Sequence, residues 1–291
     1  MNILKMHNMS WYIPFKYLRN KFRNYVYNKW QKLEKLGIVE VQIADHCNFS
    51  CYSCTHYSQI ADKHFYDINV FEKDIKQLSK VMNSAVNQIS IMGGEPLLND
   101  RCKDYITIVR KYFPYSGIIV LSNGILLDKQ SNDFWENLNK NDVYLNITKY
   151  PIKIDIEKII DLCNKYKVHF DIYDGGSADG YVKESYSCSF DIEGKQDIKD
   201  SFEKCKAVCF QLTYGKFYVC PQAAYIKYFN NHFGTNLNIT ENDYINIYNS
   251  SKEEIFKYVK NPIPFCKYCV RPLRKLKIWK SSKKEIEEYL Y

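Results

Sequence analysis

The segment IVEVQIADHCNFSCYSC, residues 38–54, runs a β-rich stretch directly into three cysteines spaced C-x3-C-x2-C. Ile38–Ala44 has the length and apolar content of a buried strand. Working outward from it, Val70–Met82 predicts a helix and Val86–Met92 a second strand. Strand-like runs at Gly117–Leu121, Asp142–Ile147 and Val168–Ile172 then alternate with helices near 101–112, 132–139 and 155–166. Repeated βα units imply a parallel sheet covered by helices, an α/β fold that right-handed crossovers curl toward a full or partial barrel. Five units can be counted, with room for a sixth before residue 200. In such sheets chemistry gathers where loops leave the carboxyl ends of the strands. Cys47 follows the first strand, Gly93–Pro96 (GGEP) the second, Ser122–Gly124 (SNG) the third, Thr148–Pro151 (TKYP) the fourth and Tyr173–Gly176 (YDGG) the fifth. All five unusual loops therefore fall on one rim.

With 291 residues, 46% of them hydrophobic, the chain can bury one large core or a core with a small appendage. Neither end reads as a secretory signal, and no apolar run is long enough for a spanning helix, so the expected location is cytoplasmic. Eleven cysteines, mostly grouped at 47/51/54, 205/209/220 and 266/269, then argue for metal binding over a disulfide framework, because the cytosol keeps thiols reduced. The net charge of +8 is unevenly placed. Residues 1–37 hold eight Lys and Arg against Glu34 alone, a net +7. Within that segment Trp11, Phe15, Leu18, Phe22, Val26, Trp30 and Leu33 recur at three- and four-residue intervals, the mark of an amphipathic helix. Such a helix serves either as a packed element with solvated lysines or as a surface for anionic lipid, a lipid-linked substrate or nucleic acid.

Three thiolates on one loop can bind zinc with an outside fourth ligand, or hold three irons of a [4Fe-4S] cluster and leave the fourth iron open. Structural zinc sites favour paired C-x2-C knuckles closed by four protein ligands. Cys47, Cys51 and Cys54 within one loop look more like the compact runs that wrap iron-sulfur clusters. With the aromatic Tyr52 between the second and third cysteines and Gly-Gly-Glu after the next strand, CNFSCYSC and GGEP resemble the radical S-adenosylmethionine (radical SAM) superfamily over residues 38 to about 180. The resemblance implies a partial (β/α)6 TIM-like barrel. It also implies that Cys47, Cys51 and Cys54 bind a cluster whose open iron chelates S-adenosylmethionine, and that a reducing partner such as flavodoxin or ferredoxin supplies the electron. Reductive cleavage would release a 5′-deoxyadenosyl radical that takes hydrogen from a substrate. Gly93, Gly94 and Glu95 are expected at the methionine ammonium, Ser122 and Asn123 at the ribose, and Tyr52 near the adenine.

Cys205, Gly215, Cys220, Cys266 and Cys269 give C-x9-G-x4-C followed by C-x2-C, with FQLTYGKFYVC reading as a hairpin turned at Tyr214-Gly215. The layout resembles the shortened auxiliary-cluster module, called twitch, of some radical SAM enzymes, with zinc as the rival metal. Cys209 competes with Cys205 for the fourth ligand. The expected organisation is a basic helical extension at 1–37, a barrel at 38–200, a cysteine-rich module at 201–275 and a helical tail at 276–291. A fully ligated second cluster suits electron acceptance. The chain is therefore read as an oxidoreductase acting on a small polyol or sugar-like substrate, with Lys149, Tyr150 and Asp174 as substrate contacts. A redox-neutral epimerase is the alternative, with Cys188, Cys163 or Tyr150 as hydrogen donor. A peptide maturase and a zinc-knuckle binding protein are the more distant readings; no nucleic-acid partner is expected.

Overall fold

The computed structural model describes residues 2–174, 185–187, 189–205, 209–271, 274–276 and 279–291. Helices α1 (Ile3–Met9) and α2 (Lys16–Gln31) precede β1 (Leu36–Ala44), α3 (Ile68–Met82), β2 (Val86–Gly93), α4 (Cys102–Tyr112) and β3 (Gly117–Ser122). Next come α5 (Asn132–Lys140), β4 (Val143–Thr148), α6 (Ile156–Tyr166) and β5 (His169–Tyr173). The cysteine-rich part contains β6 (Ser185–Ser187), α7 (Ile198–Lys204), β7 (Cys209–Thr213), β8 (Lys216–Tyr218), α8 (Pro221–Phe233), β9 (Ile245–Asn246), α9 (Lys252–Val259) and β10 (Arg274–Leu276).

The main sheet has the order β5-β4-β3-β2-β1-β7-β8-β9. Its first six members are mutually parallel, and β8 and β9 add an antiparallel edge. The fold is thus the partial α/β barrel the alternation implies, with one change of bookkeeping. The run before residue 200, β6, pairs antiparallel with β10 in a separate two-stranded sheet. The sixth parallel strand is β7, supplied by the cysteine-rich module and registered with Ile38 opposite Cys209.

Side chains alternate across a strand, and here the two faces differ in chemistry. Val39, Val41, Ile43, Ile89, Ile91, Ile118, Val120, Leu145 and Ile147 form one aliphatic core with Phe71 and Ile75 of α3, Val109 of α4, Trp135 of α5 and Ile159 of α6. The other face carries Glu40, Gln42 and Ser90, all buried. Buried polar groups require partners, and the cysteine-rich module provides several: Gln211 donates to Glu40, and Tyr228 to Asp45.

The expected hairpin turn forms at Tyr214 and Gly215, both with positive φ (47° and 73°), the signature of a type I′ turn. A side chain on Gly215 would meet the Tyr248 ring at 2.9 Å. The turn docks on the barrel through one buried carboxylate of α3: Asp74 accepts from the Gly215 N–H at 2.7 Å, from Tyr248 OH at 2.6 Å and from Tyr66 OH.

Two terminal expectations change. The apolar stripe of the first 37 residues belongs to two helices, because Ile13 takes extended backbone before Pro14, a residue that disfavours helix at its predecessor. Val26 and Trp30 bury against Ile3 and Met6, while Trp11, Phe15 and Leu18 are exposed. The tail, expected to be helical, contains one 3-10 turn at Ile286–Glu288, and residues near it run along the cysteine loop. No helix among the described residues is long and apolar enough to cross a membrane.

Replacing Asp74 with Ala would strand three donors, two of them buried. We expect a loss of about 3 kcal/mol in denaturant unfolding, with Asp74→Asn recovering part of it.

Candidate active site

Three strand-end loops are stitched into a ring. The Gly94 N–H donates to Ala44 O at 2.8 Å and the Glu95 N–H to His46 O at 3.2 Å, joining the loops after β2 and β1. The Glu95 carboxylate accepts from Ser122 Oγ at 2.8 Å and from the Asn123 N–H at 2.9 Å, joining the loops after β2 and β3. Asn123 Nδ2 donates to Asn48 Oδ1 at 2.8 Å, closing the circuit onto the cysteine loop. Glycine is required here by the protein itself: a Cβ on Gly93 would sit 2.2 Å from Ala44 O, and one on Gly94 2.2 Å from His46 O. The pair lets two backbones touch, and its contact with any ligand comes from the opposite side.

Inside the ring lies a cavity of about 430 Å³ lined by Cys47, Cys51 and Cys54, by Tyr52, Gly93, Gly94, Ser122 and Asn123, and across from them by Thr148, Tyr150 and Tyr173. Glu95 is fully buried behind this wall. The sequence placed it at the ammonium of a ligand; the structure uses its carboxylate to hold the Ser122-Asn123 turn. Burial without a cationic partner pushes Glu95 up to about 7, against hydrogen bonds from Asn123, Ser122 and Leu97 that pull it down.

The three thiols have different surroundings. Burial pushes Cys47 well up and Cys51 up to about 11. Burial would also raise Cys54, but the hydrogen bond and charge of His56 outweigh it and hold this thiol below its ordinary value. His56 is itself buried, which would lower it; its bonds to Cys54 and Glu40 raise it to about 9. Tyr150, expected to meet substrate, lines the cavity close to Cys51, and burial together with that thiol keeps the phenol protonated. Its ring packs on Phe49 at 4.6 Å, and Phe49 stacks on Trp279 at 4.9 Å. Lys149 and Asp174 follow the wall residues Thr148 and Tyr173 in sequence without lining the cavity themselves. Cys188 lies outside the described residues.

Sequence reasoning missed the tail. Trp279 lines the cavity; its buried indole N–H has no hydrogen-bond partner and works against the upward push of burial on Cys51. The Tyr52 N–H donates to Lys280 O at 3.0 Å, the Ser282 N–H to Ser50 O at 2.9 Å and the Ser53 N–H to Glu288 Oε2 at 3.3 Å. Residues more than two hundred positions away thus clamp the cysteine loop. One acid and one tryptophan in a short tail carry no local signal that would reveal this.

Cys205, Cys220, Cys266 and Cys269 line a second cavity of about 270 Å³ with Phe210, Phe265 and Arg271. Cys209 is turned away from it, toward Glu40; as the first residue of β7 its direction follows the strand. Cys220 caps the N-terminus of α8, with the Ala223 N–H 3.4 Å from its sulfur, a position that favours thiolate. Burial nevertheless raises it to about 12. Two guanidinium nitrogens of Arg271, Nε and Nη1, have no nitrogen or oxygen partner, and its charge faces Cys269, Cys205 and Cys220.

The donors gathered in both cavities are thiols, the ligands of iron-sulfur clusters and of structural zinc. In the first cavity Ser58 Oγ and Gln59 Oε1 are buried without a hydrogen-bond partner, polar atoms that a bound group can engage. The ten cysteines among the described residues are free.

Residues 41–171 match the sequence model of the Radical SAM superfamily. This stretch is a radical SAM domain. Members of this superfamily use a [4Fe-4S] cluster and S-adenosylmethionine (AdoMet). Among curated proteins, a GTP 3',8-cyclase of Sulfurovum sp. (strain NBC37-1) is 28% identical over 89 residues, 31% of this chain and 27% of that protein. The chain therefore matches only about a quarter of that relative's length. Among solved structures, BtrN in complex with AdoMet and 2-DOIA superposes with a TM-score of 0.52 at 17% identity, over 81% of this chain and 93% of that one. Native anSMEcpe with bound AdoMet gives 0.50 at 14% identity, over 80% and 89%. At these identities the likeness is one of fold.

A carboxyl whose folded value lies above its unfolded one stabilises the fold less as pH rises. Glu95 should therefore cost stability as pH increases from about 4.5 through about 7. Urea unfolding of the protein without cofactors should show that slope, and Glu95→Gln should flatten it.

Proposed function

We propose that this radical SAM enzyme oxidises a small polyol or sugar-like substrate. The proposal rests on the second cavity: four cysteines and one arginine beyond the barrel, placed to hold a cluster with no open iron. The first cluster, held by Cys47, Cys51 and Cys54 and carrying S-adenosylmethionine, would supply the one-electron chemistry that removes a hydrogen atom from a substrate carbon. Dehydrogenation then leaves one electron and one hydroxyl proton to be placed. A second cluster on Cys205, Cys220, Cys266 and Cys269 would take the electron. We assign the proton to Asp174, which follows the wall residue Tyr173 and would have to turn toward a bound substrate to accept it.

The chain's own residues do the positioning. Gly93 and Gly94 offer a wall without side chains, and Glu95 holds Ser122 and Asn123 on the cavity wall, where they would meet the ribose. Tyr150 and Trp279 pack on Phe49 at the cavity wall and help close the site against water, which a radical reaction must exclude. A small substrate also agrees with the fold-level neighbour BtrN, which was crystallised in complex with AdoMet and 2-DOIA.

One observation disfavours the epimerase reading. Cys163 is buried in the helix-side core of the barrel, away from the cavity, and burial beside Cys51 keeps the Tyr150 phenol protonated; Cys188, the third candidate donor, lies outside the described residues.

Replacing any one of Cys47, Cys51 and Cys54 with Ala should abolish reductive cleavage of S-adenosylmethionine. Cys220→Ala should spare cleavage and stop substrate turnover, and Cys209→Ser should leave both intact. Anaerobically reconstituted protein, incubated with deuterated sugars and cyclitols, should pass label into 5′-deoxyadenosine from its true substrate alone. Full turnover by Cys220→Ala would overturn the oxidase reading.

A further inference from the structure

The reversal between α1 and α2 presents a continuous aromatic tip. Trp11 is 62% exposed, Tyr12 87%, Phe15 67%, Tyr17 73% and Leu18 50%. Large apolar side chains exposed side by side mark an interaction surface. The tip is rigidly made: Arg19 Nε donates to Ile13 O at 3.0 Å, Arg23 Nε donates to Ser10 Oγ at 2.9 Å, and the Arg23 guanidinium stacks on Trp11 at 4.1 Å.

Cations surround it. Among the described residues none of the Lys and Arg between Lys5 and Lys32 is in an ion pair. Beside the tip, Lys5, Lys73, Lys76 and Lys80 line an open groove of about 710 Å³ together with Met9 and Tyr12. Aromatic residues at a protruding tip, flanked by unpaired cations and a basic groove, match the headgroup region of an anionic bilayer, where Trp and Tyr rings lodge and each cation adds attraction. A second copy of the chain would bring the same +7 segment and be repelled.

We infer that the α1–α2 hairpin docks the protein on an anionic membrane surface, with Trp11, Tyr12 and Phe15 in the interface and the lysine groove on lipid phosphates. The geometry also says what the membrane is not for. Trp30 Nε1 donates to Ser84 O at 2.8 Å, just before β2, and Tyr115, just before β3, packs on the same helices. The hairpin therefore sits at the amino ends of the parallel strands, whereas the thiol-lined cavity opens at their carboxyl ends. Docking locates the enzyme and leaves its mouth facing away from the lipid, as suits a soluble substrate.

The full chain should co-sediment with vesicles of phosphatidylcholine and phosphatidylglycerol, and not with phosphatidylcholine alone, with binding falling as salt rises. Brominated acyl chains should quench fluorescence in the wild type and not in Trp11→Phe. Lys16→Gln with Lys21→Gln, both exposed and remote from the cavity, should weaken binding on the order of twentyfold, about fivefold for each cation lost. Wild-type quenching decides the matter if a variant misfolds. Equal binding to neutral vesicles, sedimentation without quenching of Trp11, self-association that buries Trp11 without lipid, or salt-sensitive capture of an oligoribonucleotide with no vesicle binding would each overturn the inference.

Discussion

Everything at the thiol-lined rim depends on one close approach: the glycine pair after β2 lies against the chain leaving β1 with no room for a single side-chain carbon. That contact sets where the cysteine loop begins. It also carries Glu95 inward, to a place where its carboxylate is fully buried and has three protein donors. Through Glu95 the third loop is drawn in, and through Asn123 and Asn48 the third loop returns to the first. The cavity is the space such a ring must leave. Enlarging either glycine would shift the cysteine loop, the ribose-side turn and the buried acid together, because they share one set of hydrogen bonds.

A buried acid held near neutrality is costly unless something fixes it in place. Here that cost accompanies rigidity: a carboxylate takes several donors at once, which no apolar side chain can do. His56 and Glu40 repeat the device beneath Cys54, and Asp74 repeats it at the hairpin turn. In all three places a single buried acid joins segments far apart in sequence. The barrel is held together by aliphatic packing on its helix side and by a few such acids on the side where the chemistry lies.

The cysteine-rich part is an extension of the barrel in the literal sense that its first strand is the sixth parallel member of the sheet. This places the second cavity against the β1 edge, and it turns Cys209 away while leaving Cys205 facing inward. The last thirteen residues then return to the cysteine loop, so the two ends of the chain after β1 enclose the same site.

Within the five βα units, strand and helix positions were legible from the sequence to within about two residues, because each unit repeats a local pattern of aliphatic runs. Cys47, Cys51, Cys54, the glycine pair and Ser122-Asn123 were legible too, since chemistry at strand ends recurs at fixed distances from strands that can be read locally. Tertiary structure alone decided four matters: the inward role of Glu95, the placement of Tyr150 close to Cys51, the choice of Cys205 over Cys209 as a cavity-lining thiol, and the clamp from Trp279 and Glu288. Each depends on which distant backbone comes to lie beside a side chain. Periodicity reports what a residue prefers along its own element, and it is silent about what the fold brings across from elsewhere.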